Sequence, residues 1–243
     1  MVGGYAGNTF VAFLDILGFR DLVEGNVSLA AQTLDKFYST IYEACSNPIS
    51  RRIPTDRISR NNPPVQPESN AIVASDCAVI FSRNTESGEN MSNDLKCMLD
   101  FITTVNSNLV KPDPVPSILT ICSIAYGWFV YEDRKESSYL KKNCFLGTPY
   151  MNAFSDSEKM KKELGLCRLL KSNLPERARA SILTLNSLLV EENGNYYFYW
   201  MLRNRSLLSA FLEQYKRASA VEGPLKYERI KEVLGRYNSS VQE

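Results

Sequence analysis

The stretch Phe10-Val-Ala-Phe-Leu-Asp-Ile-Leu-Gly-Phe19 decides the fold. Phe10, Val11, Phe13, Leu14 and Ile16 put apolar side chains on both faces of an extended chain, which predicts a strand covered on both sides. Asp15 is its only charge. Gly18 allows a tight turn and close backbone approach, and the helix that follows points its first N–H groups back toward Asp15. Two readings of Asp15 follow. It caps that helix, or it seats a metal ion that holds phosphates.

Composition narrows the chemistry. The 243 residues suffice for one large domain, or a domain with an appendage. A formal charge of +1 gives no global field toward nucleic acid or an anionic membrane, so neither is expected as a partner. No run of 18 apolar residues predicts membrane insertion. The opening Met-Val-Gly-Gly-Tyr lacks the basic and apolar regions of a secretion signal. The six cysteines are scattered without a C-x-x-C pair, as in a cytoplasmic protein with reduced thiols. Histidine is absent, which excludes Ser-His, Cys-His and His-metal chemistry. Any reaction must run on carboxylates, Lys, Arg, Tyr or a hard metal ion.

Outward from the opening strand, Leu29, Leu34, Phe37, Ile41 and Tyr42 fall at helical spacing over 28–45, with Ser28 as N-cap. Residues 47–69 carry five prolines with Arg51, Arg52, Arg57 and Arg60, a surface loop whose arginines either reach a triphosphate or stay solvated. Residues 71–74 and 77–81 are short apolar runs about Ser75-Asp76, a tight hairpin with an acidic turn. Leu95, Met98, Leu99, Ile102 and Val105 predict a helix over 93–109. A strand is expected over 118–126, continuing to 131 past a bulge at Gly127, with 132–142 a loop. A short strand end at 144–147 leads into a helix over 148–163 with Pro149 in its first turn. A strand follows at 166–170. Runs 181–190 and 196–202 flank Glu-Glu-Asn-Gly-Asn as a hairpin, and helices over 206–218 and 225–237 finish the chain. This order predicts an α+β sandwich of the ferredoxin-like kind, with helices on one side of a mostly antiparallel sheet. The expected catalytic domain is 1–203, with 204–243 a helical extension packed on the core or on a dimer mate. Asp15 and Asp76 then come from adjacent strands and point into one space, as two Mg²⁺ or Mn²⁺ ions holding a triphosphate require.

Three segments carry a resemblance. Phe13-Leu-Asp15-Ile-Leu-Gly18-Phe19 resembles the first metal motif of class III nucleotidyl cyclases, F-x-D-I-x-G-F. Ser75-Asp76-Cys-Ala-Val-Ile-Phe81 resembles their G-D hairpin, and Gly147-Thr-Pro-Tyr150-Met-Asn-Ala153 their helix start G-x-x-V-x-x-A. The match spans roughly residues 8–170 in the same order. It implies Asp15, Asp76 and the Ile16 carbonyl as ligands of two Mn²⁺ or Mg²⁺ ions. It also implies a phosphate cradle made by the amides of Leu17, Gly18, Phe19 and Arg20. The implied reaction joins the ribose 3′-oxygen to the α-phosphorus of one nucleotide and releases pyrophosphate, at sites shared between two chains of a homodimer.

The departures from that pattern bear on the substrate. Ile72 stands where purine cyclases carry a Lys or Glu base reader, and Cys144 stands at its partner position. Met151 and Ser155 occupy the usual places of an Asn and the transition-state Arg, with Asn152 one place off. Arg20, Arg168 and Lys171 are the alternative cations, or else surface charges. Ser75, Tyr150 and Asn152 are the polar groups left for the base. This divergence resembles the bacterial pyrimidine cyclases of the Pycsar antiphage system, whose cyclic UMP or cyclic CMP activates a separate membrane or NAD-degrading effector. The apolar Ile72–Cys144 wall suits UTP, then CTP. Two other readings stay open: a degenerate cyclase fold acting as a nucleotide sensor, and a GGDEF-type dinucleotide synthase. The latter's G-G-D/E-E-F hairpin is replaced here by Ala74-Ser75-Asp76-Cys77.

Overall fold

Along strand β1 (Gly4–Ile16), alternation sends Phe10, Ala12, Leu14 and Ile16 into one core and Val11 and Phe13 into another, so both faces are covered as the sequence predicts. The computed structural model describes residues 4–46, 68–83, 88–112, 115–135, 141–160, 166–185 and 188–222. Among them β1 lies in one sheet with β2 (Glu68–Ala74), β3 (Cys77–Arg83), β4 (Thr120–Lys135), β5 (Lys141–Gly147), β6 (Cys167–Leu169), β7 (Leu189–Glu192) and β8 (Asn195–Phe198). The order is β2-β3-β1-β4-β6-β8-β7, with β5 also paired to β4. Among the described residues only the β4–β6 pairing is parallel. The helices described are α1 (Phe19–Gly25), α2 (Val27–Ser46), α3 (Gly88–Leu109), α4 (Thr148–Met160), α5 (Glu176–Leu185) and α6 (Arg205–Glu222). The chain is thus an α+β protein of the expected kind.

The helices do not all lie on one side. Helices α2 and α3 bury Phe37, Ile41 and the predicted stripe from Leu95 to Val105 in the larger core, with Leu207, Phe211 and Tyr215 of α6. Helix α4 instead places Ala153 and Tyr150 against Val11, Phe13 and Val79 on the opposite face. The reason is that β1 is apolar on both faces, and each needs its own cover.

Other expectations change locally. Asn26, not Ser28, caps α2: its Oδ1 accepts the Leu29 N–H at 3.0 Å, the third-residue reach that capping requires. Tyr42 is exposed, one step round the helix from buried Ile41. No bulge interrupts β4 at Gly127, because the β1–β4 register runs unbroken from Gly4↔Glu132 to Ile16↔Thr120. Gly127 is needed because the first turn of α4 crosses it. A Cβ there would stand 2.9 Å from Thr148 Oγ1 and 3.2 Å from Pro149 Cδ. Strand pairing also extends to Lys135 and resumes at Lys141, where a loop was expected. Residues 181–185 are the end of α5 rather than strand, and the hairpin is confined to β7 and β8 about Asn193-Gly194. The loop arginines at 51, 52, 57 and 60 and the last predicted helix, 225–237, lie outside the described residues.

Helix α3 holds a group that the apolar pattern conceals. Asp94 is 1% exposed among the larger core's residues, and its Oδ2 has no hydrogen-bond partner. Burial pushes its carboxyl up from 3.8 to about 7. A carboxyl raised in the folded state favours folding at low pH, and that advantage is lost as pH rises through the folded value. Wild-type stability should therefore fall between about pH 4 and 7 relative to Asp94→Asn, by up to about 4 kcal/mol, and level off above pH 7. Thermal midpoints of both proteins across that range test this, and parallel pH profiles would refute it.

Candidate active site

The site begins where β1 stops. Asp15 pairs across the sheet with Cys77 on one side and Ile121 on the other. Asp76 sits in the two-residue turn between β2 and β3, whose last pair is Ala74↔Cys77. The Ile16 N–H donates to the Asp76 carbonyl at 3.0 Å, tying the end of β1 to that turn. Both carboxylates act on the thiol between them. Burial first, then Asp15 and then Asp76, push Cys77 up to about 11. The structure therefore places Asp15 and Asp76, both half-buried, close to Cys77 at the end of β1.

Gly18 follows at φ 70°, a left-handed conformation that starts α1 without a side-chain cap. One cradle residue is corrected. The Leu17 N–H is already spent on the Leu119 carbonyl at 3.0 Å, a continuation of the β1–β4 ladder. The amides of Gly18, Phe19 and Arg20 remain at the start of α1, where helix geometry leaves first-turn donors without intrahelical acceptors. The Arg20 side chain is exposed and lies 3.0 Å from Glu24 Oε1 on the same helix.

Asp15 shares its sheet face with Phe13, and an aromatic cluster stands there. Phe13 meets Phe154 edge-on at 5.3 Å and Tyr150 at 6.3 Å, while Phe145 meets Tyr150 edge-on at 4.8 Å. Ile72 and Cys77 pack on the same cluster. Cys144 does not: pleat alternation puts it, opposite Glu132, on the face away from Phe145 and Tyr131. Phe145 thus takes the place in the wall that the sequence assigned to Cys144. Burial, then Cys77, raise the Tyr150 phenol above its ordinary value, so its hydroxyl stays a donor at neutral pH. Asn152 is half-buried on α4, with Met151 and Ser155 exposed.

The alternative cations are engaged elsewhere. A single cross-strand row runs Ile72–Val79–Phe13–Ser123–Arg168–Tyr197. Within it Arg168 donates from Nε and Nη2 to Asp156 of α4, at 2.9 and 2.6 Å. Its Nη1 donates to the Tyr197 hydroxyl at 3.1 Å, and Ser123 Oγ donates to Asp156 at 2.7 Å. Lys171 pairs with Glu191 on β7 and lies over the Tyr196 ring. Strand β7 is four strands from β1, roughly 19 Å at ordinary strand spacing. Asp156 and Phe145 are absent from the motif reading. A carboxylate on the buried stripe Pro149–Ala153–Asp156–Met160 was the legible sign of the first.

The donor set fits a hard divalent cation. It offers two carboxylates and neighbouring main-chain carbonyls, and the chain has no imidazole. Among the described residues no group of three or more His, Cys, Asp or Glu forms a metal site. Two carboxylates alone would supply only part of such an ion's coordination shell, the remaining ligands being water or phosphate oxygens.

The sequence matches no protein-family model and no curated protein. Solved structures share its fold. A bacterial light-regulated adenylyl cyclase superposes with TM-score 0.50 at 16% identity, covering 87% of this chain and 57% of that one. A second structure described as a bacterial light-regulated adenylyl cyclase gives 0.52 at 13%, covering 86% and 57%. The monomeric guanylyl cyclase domain of the RhoGC fusion protein from the aquatic fungus Blastocladiella emersonii gives 0.51 at 11%, covering 81% and 96%. The chain has the class III nucleotidyl cyclase fold. Among the described residues no helix is long and apolar enough to cross a membrane.

Proposed function

We propose that the protein is a pyrimidine nucleotide cyclase that converts UTP to 3′,5′-cyclic UMP and pyrophosphate, with CTP the alternative substrate. The observation that carries this is the convergence of Asp15 and Asp76 on Cys77 at the end of β1, in a chain without histidine. Asp15, Asp76 and the Ile16 carbonyl would hold two Mn²⁺ or Mg²⁺ ions. When bound, these acidify the ribose 3′-hydroxyl and neutralise the triphosphate. The Gly18, Phe19 and Arg20 amides orient the phosphates. The 3′-oxygen then bonds the α-phosphorus, its proton leaves to solvent, and the bond to the β-bridging oxygen breaks. Positioning and charge neutralisation supply most of the rate.

Ile72, Phe145 and Tyr150 support the choice of base. An apolar wall leaves purine ring nitrogens unpaired, at roughly 1–3 kcal/mol for each buried hydrogen bond not made. The protonated Tyr150 hydroxyl and Asn152 suit the carbonyl acceptors of uracil. Exposed Trp128 and Leu146, diagonal neighbours on one face of β4 and β5, supply apolar surface for a second copy, and sites formed between two chains follow from the resemblance. The product would serve as a second messenger of antiphage defence, acting on a separate effector.

Equal UTP, CTP, ATP and GTP with Mn²⁺ and purified protein test the reading, with products identified by mass. Cyclic UMP is expected. Cyclic CMP as main product reverses the uracil assignment alone, and cyclic AMP or GMP overturns the pyrimidine reading. The engagement of Arg168 by Asp156 favours one second reading, a catalytically silent nucleotide sensor. Metal-dependent triphosphate binding without pyrophosphate release would select it.

A further inference from the structure

We infer that Tyr38 of α2 is a positioning residue for Asp76, fixing its carboxylate for the metal; this rests on the two-carboxylate reading above. The Tyr38 hydroxyl donates to the Ser75 carbonyl at 2.9 Å, a contact between elements 37 residues apart. The next carbonyl, that of Asp76, accepts the Ile16 N–H at 3.0 Å. Both peptide planes that flank the Asp76 Cα are thus held from outside the hairpin. With those planes fixed, φ and ψ of Asp76 are fixed, and so is the direction of its Cα–Cβ bond.

The turn needs such a hold. Ser75 sits at φ 56°, a conformation that costs any residue with a Cβ and that glycine adopts freely. The resembling motif has glycine at this place. Here the strain at Ser75 is opposed by a bond from a neighbouring helix, and Tyr38 is the donor. Tyr38 is 38% exposed and its ring meets that of Phe37, so the hydroxyl can be removed with little disturbance to the core.

Tyr38→Phe tests this without relying on turnover. Mn²⁺ is titrated into wild type, Tyr38→Phe and Asp76→Asn, and bound ion is read from loss of the free-ion electron paramagnetic resonance signal. Thermal midpoints without metal are measured alongside. Wild type should bind, Asp76→Asn should lose most of that binding, and Tyr38→Phe should weaken it about threefold to tenfold, the worth of one hydrogen bond. Its metal-free midpoint should stay near wild type. Wild-type affinity in Tyr38→Phe, beside loss in Asp76→Asn, overturns the positioning role alone. A weakened affinity matched by a large fall in the metal-free midpoint also overturns it, since the bond would then serve the fold. Equal binding by wild type and Asp76→Asn removes the metal reading itself and the inference with it.

Discussion

Asp15→Asn and Asp76→Asn should each lower turnover about 10²- to 10⁴-fold, the several kcal/mol expected when one of two metal carboxylates is neutralised. Folding should survive. Each change is isosteric and relieves the charge crowding that, after burial, pushes Cys77 up to about 11. The Cys77 thiol should accordingly titrate lower in either variant, which gives a check on site geometry independent of catalysis. A variant with near-normal turnover and an unchanged melting curve would falsify the two-carboxylate assignment.

The second large effect is on stability. Asp156→Ala should cost about 3–5 kcal/mol, because it leaves the Arg168 guanidinium buried without its carboxylate. For a domain of this size that is a fall of roughly 6–20 °C in thermal midpoint. The double change Asp156→Leu with Arg168→Met should recover much of the loss, since no unpaired charge then remains. Equal losses in the single and double variants would show that packing, not the buried charge, dominates.

The parts of the molecule that were legible share one property: a local pattern decides them. The alternation from Phe10 to Ile16, the stripe from Leu95 to Val105 and the acidic turn at Asp76 each follow from a repeat or a turn signal within a few residues. The parts that were not legible depend on distant partners. Leu17 loses its free amide to Leu119, and Arg168 is committed to a carboxylate on α4. Gly127 is explained by a helix that starts 21 residues later, at Thr148, and not by a bulge. The side-chain direction of Cys144 is set by the register of β4 on β5, and a motif spacing carries no such information.

The pleat of β1 also gives the motif around Asp15 an arithmetic. Phe13 and Asp15 are both odd-numbered, so they share a side of the sheet, while Leu14 between them belongs to the opposite core. The aromatic platform and the carboxylate are thereby delivered together, by parity. One residue gained or lost upstream of Phe13 within the paired strand would exchange the two sets, turning Leu14 toward the pocket and Asp15 toward the helices of the main core. Two residues would restore the sides and displace only the depth. In this strand chain length itself decides which side chains share a face, an effect that no substitution at a single position can imitate.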